Sequence, residues 1–319
     1  YERFFALKDN ANLPFYSSES ASTVSSRGEY FFPVVQGDLN NNLPGKGIFQ
    51  ISSYDVAYPA WATTPDQQWT MFDKFPSAMG EFVWTGFDYI GEPTPYYGDM
   101  TGLKPNSWGY KETLKMLEKQ GVKEVPSRSS YFGILDLAGF KKDRFYLYQS
   151  KWRSEFPMAH ILPHWNWPER KGLVTPVHVY TSGDEAELFL NGKSLGKKTK
   201  GQFEYRLRWD DVVYQPGELK VIAYKNGVKW AEDIVRTTEK ASVLSMAADR
   251  PLVHPDGTDL IYITVRIEDK NQLLVPGSSN QLNFSIEGPG RIVATDNGDA
   301  ASHESFQAKS KKAYNGLCL

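Results

Sequence analysis

Two stretches of the sequence place acidic and aromatic side chains where a short apolar segment ends. In the first, the apolar residues Leu13–Tyr16 precede Ser18-Glu19-Ser20-Ala21-Ser22, which puts a carboxylate at the end of a short buried strand. In the second, Glu81–Ile90 contains Trp84 and is followed by Gly91-Glu92-Pro93. A carboxylate can attack the anomeric carbon of a sugar, and an indole face packs well on sugar C–H groups. These residues predict carbohydrate chemistry, although the sequence offers no convincing partner acid.

The composition argues against several other classes of function. The chain has 319 residues and a net charge of −2, with its lysines and arginines scattered, so no basic stripe indicates nucleic-acid binding. No apolar run approaches the ~20 residues of a membrane span. The single cysteine, Cys318, permits no disulfide within the chain, and no Cys/His zinc spacing occurs. We therefore predict neither a metal site nor another cofactor.

Residues 1–157 alternate strands with helices, which is the order of parallel α/β folds. The predicted strands are Leu13–Ser17 and Glu81–Ile90. One helix begins at Thr64-Pro65, with aromatic residues at 69, 72 and 75 on one face. A second helix is predicted over Lys141–Arg153. Active sites in such folds lie in the loops after the strand ends, where Glu19 and Trp84 are expected.

The remainder of the chain has the pattern of two antiparallel β-sandwiches, over 158–238 and 239–319. In the first, Asn191-Gly192 and Asn226-Gly227 predict tight hairpin turns. In the second, apolar residues alternate over 261–267 and 282–286, and the unit looks truncated. The strands predicted in the first sandwich are Pro176–Thr181, Glu185–Leu190, Phe203–Trp209 and Glu218–Tyr224.

Several blocks of the sequence resemble glycoside hydrolase family 2, and the closest likeness is to multidomain bacterial β-galactosidases. The similarity covers essentially the whole chain. In that family a (β/α)₈ TIM barrel precedes further β domains, so the resemblance implies a partial barrel in 1–157 and two Ig-like β-sandwiches after it. The blocks are Ser18–Ser22, Ser25–Tyr30, Phe82–Pro93, Ser130–Asp136, Pro163–Trp167 and Phe189–Lys193.

The resemblance also implies roles for three residues. Glu19 corresponds to the catalytic nucleophile at the end of barrel strand 7, Trp84 to the sugar-platform residue at the end of strand 8, and Glu92 to a hydroxyl-binding carboxylate. The family's acid/base lies in an Asn-Glu pair after strand 4, and no Asn-Glu dipeptide occurs in this sequence. We therefore expect the C-terminal part of a longer enzyme that is inactive alone, since a leaving-group acid is commonly worth about 10²–10⁴ in rate.

Further residues are weaker candidates for the sugar site. Asp88 is either structural or substrate-binding. Trp165 and Trp167 lie at the barrel–sandwich junction, where interdomain packing competes with sugar binding, and the neighbouring His164 is expected to be structural. Trp61, Trp108 and Tyr96-Tyr97 occupy loops that could border a sugar subsite, although packing is the simpler role for each.

Two charged features have ordinary structural explanations beside the functional ones. Arg27 could orient the Glu19 carboxylate or form a loop salt bridge. Asp296-Asn-Gly-Asp299 offers oxygen ligands for Ca²⁺, but its spacing is not that of an EF-hand loop and favours a turn. We expect Asp296–Asp299 to form a turn.

The resemblance implies a retaining hydrolase of terminal β-D-galactosides, acting on an oligosaccharide or glycan. β-Glucuronidase and β-mannosidase activities of the same family stay open, as does a non-catalytic carbohydrate-binding or adhesion module built on the two sandwiches. The expected partners are the missing N-terminal part of the enzyme and, in a homo-oligomer, further copies of the chain. A periplasmic or secreted bacterial location is favoured over the cytoplasm.

Overall fold

The computed structural model describes residues 13–37, 39, 49–96, 115, 119, 127 and 129–319, and strands predominate over helices in its regular secondary structure. The elements are β1 (Phe15–Ser20), α1 (Pro65–Lys74), β2 (Ala78–Val83), α2 (Asp143–Trp152), β3 (Ala159–Leu162), a 3₁₀ turn (Pro168–Arg170), β4 (Val177–Thr181), β5 (Glu185–Leu190), β6 (Lys193–Thr199), β7 (Leu207–Trp209), β8 (Glu218–Lys225), β9 (Val228–Arg236), β10 (Val243–Ala248), β11 (Ile263–Glu268), β12 (Gln281–Asn283), β13 (Ser310–Lys312) and β14 (Leu317–Cys318). No helix in these ranges is both long and apolar enough to cross a membrane.

The first part of the chain contains a β1–α1–β2 unit in which the two strands are parallel. Helix α1 begins as the sequence predicts, because Thr64 and Gln67 form a capping box with Pro65 in the first turn. Trp69, on the buried face of α1, donates from Nε1 to Glu81 Oε1 of β2 at 2.5 Å. One parallel pair with its helix is a single βαβ unit, so the partial TIM barrel stays a prediction.

The predicted strand Glu81–Ile90 is wrong in its extent, because β2 ends at Val83. Beyond that point the backbone turns to a different neighbour. The amide of Thr85 donates to Phe132 O at 3.3 Å, and the amide of Ile134 donates back to Thr85 O at 2.9 Å. Trp84 therefore lies immediately after the strand, and the segment beyond it is irregular.

Residues 159–236 form two antiparallel sheets with a common core. Their strand orders are β3–β4–β7 and β6–β5–β8–β9. The core contains Trp165, Leu188, Trp209 and Val221, all buried. Both predicted hairpin turns are confirmed by positive φ at each central residue: 50° and 78° at Asn191-Gly192, and 52° and 78° at Asn226-Gly227. The predicted strand Phe203–Trp209 is shorter, since Phe203 has φ 65° and only Leu207–Trp209 pairs.

The last part of the chain has a three-stranded sheet, β10–β11–β14, and a two-stranded sheet, β12–β13. A small core between them contains Val265, Ile267, Leu282 and Cys318. The alternation predicted for this unit is confirmed only in part, because Ile263 and Ile286 are exposed at 43% and 53%.

Arg27 ties this last unit to the first part of the chain. Its Nε donates to Asp136 Oδ2 at 2.6 Å, and its terminal nitrogen donates to the carbonyl oxygens of Asn297 at 2.8 Å and Tyr314 at 2.9 Å. Gln50 adds a second link, donating to Asp299 Oδ1 at 2.8 Å. The loop that follows β1 is thus held by residues far along the sequence.

Candidate active site

Glu19 is the penultimate residue of β1, and its side chain is exposed. Ser17 pairs with Glu81 and Ser20 pairs with Val83. These positions are three residues apart in β1 but only two apart in β2, so β1 carries one extra residue. Such a bulge re-aims side chains. Here Ser17 and Ser20 point into the buried side, where Ser20 Oγ donates to Glu81 Oε2 at 2.5 Å. The bulge thereby leaves the Glu19 carboxylate outside the core at the strand end.

The backbone directly after this strand is strained. Ala21 and Ser22 have φ of 60° and 55°, the left-handed region that residues with a Cβ seldom occupy. Each such residue costs on the order of 1–3 kcal/mol and persists only where its surroundings fix it. Here the amide of Thr63 donates to Ala21 O at 2.9 Å, and Thr23 Oγ1 donates to Thr63 O at 2.9 Å. Strain of this kind clusters at active sites.

Trp84 lies beside this strand end. Its backbone amide donates at 3.1 Å to the carbonyl oxygen of Ser20, which is the residue after Glu19. The peptide bond after Trp84 is cis. The half-buried indole meets the Tyr89 ring edge to face, with ring centroids 5.8 Å apart.

Tyr89 connects the other candidates, and the sequence analysis missed it. Its hydroxyl donates to Glu92 Oε2, while Thr94 Oγ1 donates to Glu92 Oε1 at 3.2 Å. Burial raises the pKa of the Tyr89 hydroxyl, and the bond to Glu92 and its charge raise it further. The Glu19 charge also raises the pKa of the same hydroxyl, with a smaller effect than Glu92. Trp84 and Glu92 therefore both contact the Tyr89 side chain, and the Trp84 amide bonds to Ser20, the residue after Glu19. The only sequence signal for Tyr89 is its place in the same aromatic block as Trp84.

Asp88 and Trp165 do not join this group. Asp88 is buried, with Oδ2 at 2.6 Å from Lys142 Nζ and Oδ1 accepting from the Gly133 amide at 2.7 Å. Burial raises the pKa of Asp88 to about 6 in spite of the opposing Lys142 charge. Trp165 is fully buried in the sandwich core and donates to Gln215 O at 2.9 Å. The geometry gives both residues structural surroundings instead of a sugar-facing surface.

The side chains of Trp167 and Arg27 also contact other parts of the structure and not the candidate site. Trp167 stacks on His164 at a separate cleft between the parts of the chain. The Arg27 side chain is committed to Asp136 and two carbonyls, which is the loop salt bridge that the sequence allowed. Neither therefore orients the Glu19 carboxylate.

Among the aromatic loop residues, Trp61 lies in the loop that bonds to the backbone after β1. It is 57% exposed, its ring lies 5.9 Å from that of Phe132, and its loop is joined to Ala21 through Thr63. Tyr96, by contrast, is buried and donates to Gln50 O at 3.0 Å. Trp108 and Tyr97 lie outside the described residues.

The described residues contain no group of three or more His, Cys, Asp or Glu side chains arranged to hold a metal ion. The predicted turn at Asp296-Asn-Gly-Asp299 forms, because Asp296 Oδ1 accepts from the amides of Asn297 at 2.7 Å and Gly298 at 3.3 Å. The site around Tyr89 is therefore a set of carboxylates and aromatic rings, which can bind hydroxyls, stack on a sugar and supply a nucleophile.

Two protein families match successive segments of the chain. Residues 172–231 match a domain of unknown function (DUF4982), and residues 244–319 match "Glycoside hydrolase family 2 C-terminal domain 5". These segments correspond to the core of the first sandwich and to the last β unit. The first 171 residues, with Glu19 and Trp84, lie outside both matches.

Among curated proteins, the β-galactosidase BoGH2A of Bacteroides ovatus is 36% identical over 310 residues, 96% of this chain and 33% of that protein. A Formosa agariphila protein, whose name assigns it provisionally to the β-glucuronidases, is 34% identical over 92% of this chain and 28% of its own length. The crystal structure of a β-glycosidase from Bacteroides vulgatus superposes with a TM-score of 0.79 at 29% identity, covering 99% of this chain and 39% of that one. The chain thus spans about a third of the length of the relatives it matches.

Proposed function

The chain belongs to glycoside hydrolase family 2, and from this premise we propose that it supplies the nucleophile side of the active site of a retaining β-galactosidase. The observation that carries the proposal is a chain of contacts: the Trp84 amide bonds to the strand end that bears Glu19, the Trp84 ring meets Tyr89, and the Tyr89 hydroxyl bonds to Glu92. Two sequence blocks that are far apart in the chain supply these groups, at neighbouring strand ends.

In the proposed reaction, the Glu19 carboxylate attacks the anomeric carbon while the bond to the leaving oxygen breaks. That oxygen takes a proton from an acid that other residues of the enzyme supply. Water then attacks the resulting glycosyl ester, loses its proton to the same group acting as base, and releases Glu19. Because each step inverts the anomeric carbon, the product retains the configuration of the substrate. Without the acid, we expect this chain alone to be inactive.

Trp84 and Trp61 are proposed as the apolar surfaces against which the sugar packs, and Glu92 as the carboxylate that binds its hydroxyls. The bonds from Tyr89 and Thr94 hold Glu92 from one side, and a carboxylate has further lone pairs for a substrate hydroxyl. In this proposal β1, α1 and β2 correspond to the last part of a (β/α)₈ barrel whose other strands lie elsewhere in the enzyme. A periplasmic or secreted location remains part of the same proposal.

Galactose is favoured over glucuronic acid by the charges at this site. Among the described residues, the charges that raise the pKa of the Tyr89 hydroxyl are those of Glu92 and Glu19. A glucuronic acid carboxylate would be repelled here unless cations faced it. A solely carbohydrate-binding role would account for residues 158–319 but leaves the strained, exposed Glu19 segment unexplained.

The test uses the full-length enzyme that contains this chain, with the variants Glu19→Gln and Glu19→Ala. We expect kcat for an aryl β-galactoside to fall by about 10³-fold or more, as when the nucleophile of a hydrolase is removed. Azide should restore turnover in Glu19→Ala and give the α-galactosyl azide. Glu287→Gln, an exposed glutamate of the last unit, is the control and should retain full activity.

Two results would contradict the proposal. Activity of Glu19→Ala within tenfold of the parent excludes Glu19 as nucleophile. A parent enzyme that cleaves aryl β-glucuronides or β-mannosides but not β-galactosides excludes the galactose assignment while leaving the nucleophile in place.

A further inference from the structure

A cleft of about 460 Å³, apart from the candidate active site, lies where the three parts of the chain meet. Its walls come from the loop after β1 (Gly28–Tyr30), from the segment between β3 and β4 (His164, Asn166 and Trp167), and from the last β unit (Gly277 and Asn315). Sites for small molecules commonly have volumes of about 300–1,000 Å³ and lie between domains. Glu19, Trp84, Tyr89 and Glu92 are not among its lining residues.

Glu29 presents a fixed carboxylate to this cleft. Its backbone amide donates to Ser53 Oγ at 3.1 Å, and its carbonyl accepts from the Ser53 amide at 2.6 Å. Asn315 Nδ2 donates to Glu29 Oε1 at 2.9 Å and to Arg27 O at 2.7 Å. Burial raises the pKa of Glu29. Because a carboxylate offers about four acceptor positions, the group can accept hydrogen bonds from a ligand as well as from Asn315.

Trp167 and His164 form an aromatic wall whose geometry is held from several sides. Their rings are stacked, with centroids 4.2 Å apart and planes at 11°, and Tyr30 meets both rings edge on. The Trp167 indole donates to His164 O at 2.6 Å, which fixes its orientation. His164 Nδ1 accepts from the Asn166 amide at 3.3 Å, so the neutral ring carries its proton on Nε2. Burial lowers the pKa of His164 to about 3, which keeps the ring neutral.

The charges of the cleft restrict what it can bind. None of the described residues that line it is a lysine or an arginine, whereas Glu29 and Glu169 both line it. An anionic ligand such as a uronate or a sulfated sugar would therefore be repelled. Aromatic surface combined with carboxylate and amide groups suits a ligand that carries both C–H faces and hydroxyls, and these are the features of a neutral sugar.

We infer that this cleft is a second carbohydrate-binding site, which holds a neutral sugar unit through Trp167, Glu29 and Asn166. Sugar binding by Trp167, which the sequence suggested for the catalytic site, is thereby assigned to a separate place. The sugar belongs either to a remote part of a glycan chain or to a free monosaccharide. Holding a remote part of a glycan would keep a polymeric substrate on the enzyme between reactions.

The experiment is hydrogen–deuterium exchange on the full-length enzyme that contains this chain, carrying Glu19→Gln, in the presence of β-1,4-galactotetraose. We expect slower exchange in peptides that cover 28–30, 164–167, 276–279 and 314–315. Tetragalacturonate at the same concentration should give no protection there, because it is anionic. Free galactose is the third probe: protection by the tetraose alone assigns the site to a glycan chain, and equal protection by galactose assigns it to a single sugar.

Two variants of the cleft test which groups carry the binding. Trp167→Ala should weaken tetraose binding at these peptides by about tenfold or more, as for truncated aromatic anchors in other interfaces. Glu29→Gln keeps the shape of the side chain, and it should weaken binding by about fivefold because it replaces a charged acceptor by a neutral one. Trp61→Ala, at the other site, is the matched control and should leave protection of the cleft unchanged.

Several outcomes would overturn the inference. Protection confined to 17–22 and 82–92 would do so while leaving the proposed catalytic function standing. Absence of any protection of the cleft by either neutral probe, in a chain that remains folded, would also do so. Equal binding by the parent and Glu29→Gln, together with binding of tetragalacturonate, would refute the assigned ligand chemistry. Protection of the cleft without protection of the Glu19 segment would count against the catalytic proposal only.

Discussion

The most informative perturbation of the fold is Arg27→Met. Arg27 and Asp136 are 7% and 0% exposed, and Nε and Oδ2 are 2.6 Å apart. The guanidinium also lies over the Phe140 and Tyr314 rings, at 5.0 and 5.1 Å from their centroids. Methionine retains this apolar contact but removes the charge and every hydrogen bond. The variant therefore tests the polar connection between the first part of the chain and the last.

Breaking a buried ion pair by removing one partner commonly costs about 3–5 kcal/mol, because the other charge is left uncompensated. Asp136 Oδ1 still accepts from the amides of Ala138 at 3.0 Å and Phe140 at 2.8 Å. These hydrogen bonds still stabilise part of the Asp136 charge. We therefore expect a loss of folding stability at the lower end of this range, about 3 kcal/mol. For a unit of 150–250 residues, at about 2–4 °C per kcal/mol, Tm should fall by roughly 6–12 °C.

The assay is thermal unfolding of the chain, followed by near-ultraviolet circular dichroism. Arg153→Met is the matched control, because Arg153 and Glu155 form an ion pair at 2.5 Å but are 62% and 65% exposed. Such surface pairs contribute about 0–1 kcal/mol. In 1 M salt, where the Debye length is about 3 Å, the small effect of Arg153→Met should vanish and the effect of Arg27→Met should persist.

A double variant separates the loss of the Arg27 hydrogen bonds from the effect of leaving the Asp136 charge without a partner. Asp136→Asn removes the charge, and its amide oxygen can still accept from the backbone. Arg27→Met with Asp136→Asn should therefore be more stable than Arg27→Met alone. Equal losses of stability in Arg27→Met and Arg153→Met would refute the reasoning, as would a double variant less stable than Arg27→Met.

Three further predictions concern other parts of the structure. Burial lowers the pKa of His164 to about 3, so the unfolded chain, with a histidine pKa near 6.5, binds a proton that the folded chain excludes. The contribution of His164 to the free energy of unfolding is complete above about pH 6.5 and is lost as pH falls toward 3, by up to about 1.4 kcal/mol per pH unit. When unfolding by urea is measured from pH 7 to 4.5, the free energy of unfolding should therefore fall less steeply with pH in His164→Gln than in the parent. Gly298→Ala should lower Tm, because Gly298 has φ +76° and an added Cβ would lie 1.9 Å from Asp136 Oδ2. Tyr89→Phe in the full-length enzyme should lower kcat/KM for an aryl β-galactoside by about tenfold, since the phenol no longer holds Glu92.

Each of these predictions has a control of the same chemical kind. His254→Gln changes an exposed histidine and should leave the pH slope unaltered; equal slopes in both histidine variants would contradict the first prediction. Gly192→Ala has φ +78° but nothing within 4 Å of an added Cβ, so an equal loss of Tm in both glycine variants would contradict the second. Tyr262→Phe changes a tyrosine that is 53% exposed, and it should match the parent; an unchanged kcat/KM in Tyr89→Phe would contradict the third.

The sequence was sufficient for elements whose structure is determined by neighbouring residues. The helix start at Thr64-Pro65 and the Asn-Gly turns are local, and both were predicted correctly. The end of β2 was not, because the backbone after Val83 pairs with the segment around Phe132. A partner that is so distant leaves no trace in the periodicity of the strand.

The same distinction applies to the candidate site. Glu19 could be singled out because it ends an apolar segment, and Trp84 because it lies in an aromatic block that is followed by acidic residues. The role of Tyr89 depends on a fold that brings two strand ends together, and an isolated tyrosine beside Asp88 gives no signal of it. The separation of Trp167 from this site depends on contacts among Tyr30, His164 and the last β unit, which only the tertiary structure provides.

The most direct test of the central proposal is labelling of the full-length enzyme with a 2-deoxy-2-fluoro-β-galactosyl probe, followed by mass mapping of its peptides. The fluorine slows hydrolysis of the glycosyl ester, so the nucleophile stays labelled. We expect one galactosyl label on Glu19 in the full-length enzyme and none in this chain alone. A label on another carboxylate, or no label in a folded enzyme that cleaves β-galactosides, would contradict the account.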